Sequence, residues 1–189
     1  MKKMIALALL AVTAAGAASA EEFTVNTNNI YVGGSVGFWR NITEHSTQAS
    51  IMPEIGYNLS DKAAIGTTIG WEHNYSADHT SYNMFKIAPY LRYNFIKSGK
   101  VSVFCDGGFE LGAGRTSYDG EHSDVAATYG IGLKPGISVA LSNHFSLVAH
   151  VGFIGYQGAN KAARNGGAES GWGAFFNGNN ISFGAYYTF

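Results

Sequence analysis

"FKIAPYLRYNF", Phe85 to Phe95, sets Phe85, Ile87, Pro89, Leu91, Tyr93 and Phe95 on one side of an extended chain and Lys86, Ala88, Tyr90, Arg92 and Asn94 on the other. Successive side chains of a strand point to opposite faces, so this is period-two patterning with one wholly apolar face and one mostly polar face. A helix would mix the two sets. The pattern leaves open which face meets solvent, and that choice decides where the protein resides.

The same alternation recurs along the chain. Ile51, Pro53, Ile55, Tyr57 and Leu59 oppose Glu54, Gly56 and Asn58; Ile65, Thr67, Ile69 and Trp71 oppose Gly66, Thr68, Gly70 and Glu72. In "VSVFCDGGFEL", Val101, Val103, Cys105, Phe109 and Leu111 face Ser102, Asp106, Gly108 and Glu110 across the backbone. Val125 to Val139 carries Lys134 on its polar side, and Phe145, Leu147, Ala149, Val151 and Phe153 share a face opposite Ser146, His150 and Gly152. With a less regular first segment, Ile30 to Arg40, and a last one, Ile181 to Phe189, the pattern predicts eight strands.

Connections alternate in kind. Ser60 to Lys62, Ile96 to Lys100 and Ser142 to His144 have tight-turn chemistry, whereas roughly 41–48, 74–82, 115–123 and 157–178 are longer and polar. An up-and-down meander with two unlike ends follows, and an outer-membrane barrel has that form. The fold class expected is all-β: an eight-stranded antiparallel up-and-down transmembrane β-barrel.

A soluble ligand-carrying barrel would put the apolar face inside. The polar face collects Glu54, Glu72, Lys86, Arg92, Asp106, Glu110, Lys134 and His150 among many glycines, and the opposite face lacks charge along these strands. Several segments reach the 9 to 11 alternating residues that a tilted strand needs to cross a bilayer. Aromatics gather near strand ends, as in interfacial girdles. An eight-stranded barrel has room inside only for side chains, and buried charges there must be paired. The seven charged residues are therefore expected to form an interior ion-pair network rather than an acid–base pair. On this reading Leu91→Arg should harm folding more than Arg92→Leu.

The first twenty residues have the marks of a secretory signal: Lys2 and Lys3, an apolar run from Met4 to Ala17, then Ala18-Ser19-Ala20. The expected organisation is a cleaved signal peptide at 1–20 and one barrel domain at 21–189. Without its two lysines the mature chain has 10 basic against 13 acidic residues, a formal charge of −3, which gives no footing for nucleic acid. The single Cys105 cannot make an internal disulfide. Histidines at the loop end, His45, His73, His79 and His122, match no compact ligand spacing, and no metal or cofactor is expected.

The chain ends in "SFGAYYTF". Ser182, Gly184, Tyr187 and Phe189 resemble the C-terminal signal by which outer-membrane barrels are recognised by the barrel-assembly machinery. The mature chain as a whole resembles the small eight-stranded outer-membrane barrels of the OmpA transmembrane-domain and OmpX type, and "PEIGYNLSDKAAIG", Pro53 to Gly66, looks like a strand-turn-strand element common among them. The resemblance implies the outer membrane of a Gram-negative bacterium, contact with its lipid and lipopolysaccharide, and no separate peptidoglycan-binding domain. It implies no particular activity. A structural or surface-interaction role through the loops is expected; the alternatives are a lipid A-modifying enzyme, the soluble carrier and a small-conductance pore. Trp172, Phe175 and Phe176 in the longest loop are the candidate contacts for an unidentified ligand.

Overall fold

The computed structural model describes residues 26–43, 45–118, 121–176 and 181–189, with the backbone alone at Ile181. The signal-peptide segment lies outside the described residues. After a 3-10 turn at Thr27–Asn29 come β1 (Ile30–Asn41), β2 (Ser46–Asn58), β3 (Ala63–Tyr75), β4 (Thr80–Ser98), β5 (Val101–Tyr118), β6 (Glu121–His122), β7 (Ala126–Ala140), β8 (Phe145–Val151), β9 (Phe153–Ala159), helix α1 (Lys161–Asn165), β10 (Gly171–Phe175) and β11 (Ile181–Thr188). All pairings are antiparallel; β1 to β6 pair in chain order, β5 also pairs with β7, β7 with both β8 and β9, β9 with β10, and β8 with β11, which returns to β1. β8 with β9 forms the seventh wall strand and β10 with β11 the eighth, so the fold is a closed eight-stranded barrel.

The short turns are made by like chemistry. Ser60 Oγ accepts from the Lys62 and Ala63 amides, Ser142 Oγ accepts from the His144 and Phe145 amides, and Gly99 supplies the left-handed residue of the β4–β5 turn at φ 58°. At the other end the predicted long loops shrink. β1 and β2 are joined by residues 42–45 and β3 and β4 by Ser76 to His79, with His45 and His79 in the left-handed region. The missing loop length is strand: β4 and β5 have 19 and 18 residues, far beyond what a bilayer requires. Polar residues such as Ser81, Arg115, Thr116 and Ser117, which read as loop, sit in a ladder above the apolar band.

All three prolines lie inside strands, each where pairing to one neighbour lapses: Pro53 between Ile51 and Glu54, Pro89 between Ile87 and Tyr90, and Pro135 between Leu133 and Gly136. A second irregularity corrects the sequence reading. Gly152, at φ 83°, makes a one-residue bulge, because Gly136 opposes His150 whereas Leu133 opposes Ile154. The faces therefore exchange: Phe153 packs inward against Gly132 and Gly155, and Ile154 and Tyr156 turn outward.

The molecule is inverted relative to a water-soluble fold. Val36, Phe38, Ile51, Ile69, Ile87, Leu91, Phe109, Leu111, Ile131, Leu133, Leu147 and Phe183 are all exposed, while Arg92 and Asp106 are buried. Tyr31, Ala64, Phe104, Val148 and Tyr186 form the main buried cluster, inside the short-turn half of the barrel.

Candidate functional site in the barrel interior

Two ionic tiers cross the lumen. The deeper one is centred on Arg92 of β4. Its Nε donates to Asp106 Oδ1 at 2.7 Å and its Nη2 to Asp106 Oδ2 at 2.8 Å, a bidentate pair between adjacent strands. Glu54 of β2 lies 3.6 Å from the same Nη2, and His150 Nε2 is 2.8 Å from Asp106 Oδ2. Phenols saturate the remaining carboxylate capacity: Tyr90 and Tyr186 both donate to Glu54, the latter at 2.8 Å, and Tyr31 is hydrogen-bonded to Tyr90. The guanidinium carbon stands 4.1 Å from the Phe104 ring centroid, with Tyr90, Tyr186 and Tyr31 at 5.2, 5.3 and 5.9 Å.

Backbone chemistry makes room for these rings. A Cβ on Gly56 would fall on the Tyr31 ring, one on Gly66 on the Tyr90 phenol, and one on Gly136 on Phe104. Gly56, Gly66 and Gly136 are thus sockets into which aromatic rings from neighbouring strands fit.

The shallower tier lies toward the loop end. Lys86 Nζ donates to Glu72 Oε1 at 2.9 Å and sits 3.8 Å from Glu110 Oε1, while Lys134 Nζ donates to Glu110 Oε2 at 3.2 Å. Two cations and two carboxylates balance there. The seven charged residues singled out from the sequence thus fall into two groups, four in this tier and Glu54, Arg92 and Asp106 in the deeper one. His150, Tyr31, Tyr90, Tyr186 and Phe104 complete the deeper tier and are not among the sequence-derived site residues. Parity already sets Tyr90 beside Arg92 and His150 beside Ser146 on the polar face and would have added Phe104 beside Asp106; Tyr31 required the β1–β2 register, which sets it opposite Gly56.

At the loop end the histidines bond locally, His73 Nδ1 to Asn83 at 2.9 Å and His79 Nδ1 to the Tyr75 hydroxyl at 3.1 Å. Trp172 and Phe175 are exposed but lie on β10, in the barrel wall opposite Tyr156 and Phe153, and Phe176 follows directly. α1 caps the hairpin: Asn160 Oδ1 accepts from the Ala163 and Ala127 amides.

The terminal strand is tied in on both sides. Ser182 and Gly184 pair with β8, and Tyr187 pairs with Phe145 on β8 and Val32 on β1. Tyr187 stacks on His144 at 5.7 Å and meets Phe189 edge-on at 5.2 Å, and the Phe189 amide donates to Ile30 O at 3.1 Å. The final aromatic pair therefore forms an outward patch at the short-turn end.

Sequence comparison joins this geometry to a family: residues 4–189 match the outer membrane protein beta-barrel domain. The chain belongs to that family. Its inverted exterior and filled lumen are those of an outer-membrane barrel. Among solved structures, Neisserial surface protein A is 14% identical, with 85% of this chain and 96% of that one covered and a TM-score of 0.52. The N-terminal β-barrel domain of Pseudomonas aeruginosa OprF is 11% identical over 86% of this chain and 98% of that one, with a TM-score of 0.47. At 14% identity the likeness to Neisserial surface protein A is one of fold. No curated protein sequence matches the chain.

Proposed function

We propose that this outer-membrane barrel is a non-enzymatic surface protein of a Gram-negative envelope, delivered across the inner membrane by residues 1–20 and acting through its loop end. The observation that carries this reading is the mutual satisfaction of the interior charges. Carboxylates bonded to Arg92, Lys86, Lys134 and tyrosine phenols have their hydrogen-bonding capacity spent on structure rather than held for a substrate. A lumen filled at the level of Arg92 by Tyr31, Tyr90, Phe104 and Tyr186 also opposes a porin-sized path. Lipid and lipopolysaccharide surround the apolar belt, and the loop-end hairpin tips, with Trp172 near the tip-side end of β10, are the surface on which an external ligand would meet the protein.

Assembly is assigned to the terminal strand, with Ser182, Gly184, Tyr187 and Phe189 read by the barrel-assembly machinery. Deleting Phe189 is expected to leave exported chain in the periplasm with a much reduced outer-membrane fraction; full insertion would remove that role. The functional test is mass spectrometry of lipid A from cells overproducing the protein. Unchanged acyl mass is expected, and gain or loss of an acyl chain would overturn the non-enzymatic reading in favour of lipid A chemistry.

A further inference from the structure

The barrel wall is not equally closed around its circumference. Phe189 N donates to Ile30 O, so along β1 the backbone groups of Ile30, Val32, Gly34, Val36 and Phe38 are directed at β11 and those of alternate residues at β2. Among the described residues the β1–β11 ladder runs from Tyr31↔Thr188 to Gly34↔Ala185 and stops. Continued in register it would set Ser35 beside Gly184, Val36 beside Phe183 and Gly37 beside Ser182. Both strands do continue, β1 along β2 to Asn41 and β11 along β8 back to Ile181, without pairing with each other. Gly34 marks the fork, with a φ of 141°.

Exposure agrees with an opening. Val36 and Phe183 are 81% and 73% exposed, against 47% and 50% for Ile87 and Leu111, which are outward neighbours in an intact ladder. Gly37 and Ser182, on the inward side of the same strands, are also exposed. The described residues therefore leave a crevice in the loop-side half of the wall, floored by the Gly34–Ala185 pair at which the ladder ends. Its lips are apolar, Val36 and Phe38 against Phe183, and its inner lining is small, Ser35, Gly37, Ser182 and Gly184.

Unpaired backbone amides and carbonyls in hydrocarbon cost several kcal/mol each, so a strand edge facing lipid needs a polar partner as well as an apolar one. We infer that this crevice holds an acylated lipid of the outer leaflet, its chain along Val36, Phe38 and Phe183 and its ester or amide linkage on the β1 backbone groups directed at β11 beyond the end of the ladder. The crevice is continuous with the apolar exterior, and Arg40, the next residue of β1 on the outward side beyond Phe38, would supply a cation for a lipid headgroup at its loop-side end. The inference rests on the lipid-facing reading of that exterior.

Two measurements on the full barrel in phosphatidylcholine vesicles test it. In a Cys105→Ala background, the pair V32C and Y187C, opposed in the ladder, should link on mild oxidation, and the pair V36C and F183C should not. In the wild-type chain, a phosphatidylcholine with a photoreactive acyl chain should label the inward-facing Ser35, Gly37 or Ser182 as well as outward residues such as Ile87 and Leu91. Equal linking of both pairs would mean that the ladder runs through, and would overturn the inference. Labels on outward residues alone would remove the lipid as occupant, leaving water or a strand of a second copy. No label anywhere, Ile87 and Leu91 included, would instead refute the lipid-facing exterior itself.

Discussion

The two ionic tiers use the same residue classes in different surroundings. Around Arg92 the side chains of Glu54 and Asp106 are nearly sequestered, at 7% and 6% exposure, and tyrosine and phenylalanine rings fill the space over Gly56, Gly66 and Gly136. Around Lys86 the partners keep about a quarter to two-fifths of their side chains accessible from the loop end, with Lys134 at 42%. Burial changes what an ion pair is worth. A surface-like pair contributes ~1 kcal/mol or less, whereas removing one partner of a buried pair strands a charge that cannot be solvated. The deeper tier should therefore behave as a structural plug and the shallower one as an adjustable, salt-sensitive layer.

The largest expected effect is at Arg92. Arg92→Leu leaves two buried carboxylates without their cation and should cost about 3–5 kcal/mol in urea unfolding from micelles. Leu91→Arg, on the lipid face, should cost about 2–4 kcal/mol at mid-bilayer depth and less nearer the interface. The buried geometry thus reverses the ranking expected from sequence alone, and a greater loss for Leu91→Arg would restore it. Next is Gly56→Val, whose side chain would displace the Tyr31 ring and is expected to lower stability by about 1–3 kcal/mol in the same titration. Lys86→Met should cost about 1 kcal/mol or less, with the difference from wild type shrinking at high ionic strength. Equal losses at Lys86 and Arg92 would erase the distinction between the tiers. The smallest effect should be Trp172→Ala, within about 0.5 kcal/mol of wild type, because an exposed ring on a wall hairpin packs against little.

Much of this was legible in alternation alone. The inward direction of Lys86, Arg92, Asp106 and Glu110 follows from parity within single strands, and the meander follows from turn chemistry at Ser60, Gly99 and Ser142. Parity fails where a backbone irregularity intervenes. Gly152 shifts the register by one, sending Phe153 inside and Ile154 outside, and nothing in a glycine within a glycine-rich chain distinguishes a bulge from a socket. The extent of β4 and β5 was hidden for another reason: beyond the bilayer both faces of a strand meet water, so Asn83 and Arg115 lose the apolar half of the pattern while keeping the ladder. The tyrosines were hidden by their dual chemistry. An amphipathic ring reads as an interfacial girdle on one face and as a filler with a hydroxyl donor on the other, and only cross-strand register placed Tyr31 and Tyr186 on Glu54 and its neighbours.

The contrast between tiers, and the lipid-facing belt around them, depend on one closed wall with its polar side inward. Electrophoresis of the purified mature protein in detergent, unheated and boiled, with circular dichroism of each sample, tests that wall most directly. A compact, β-rich, faster-migrating unheated form that converts to a slower band on boiling is expected. Identical mobility before and after boiling, from a chain that stays in solution without detergent, would contradict it.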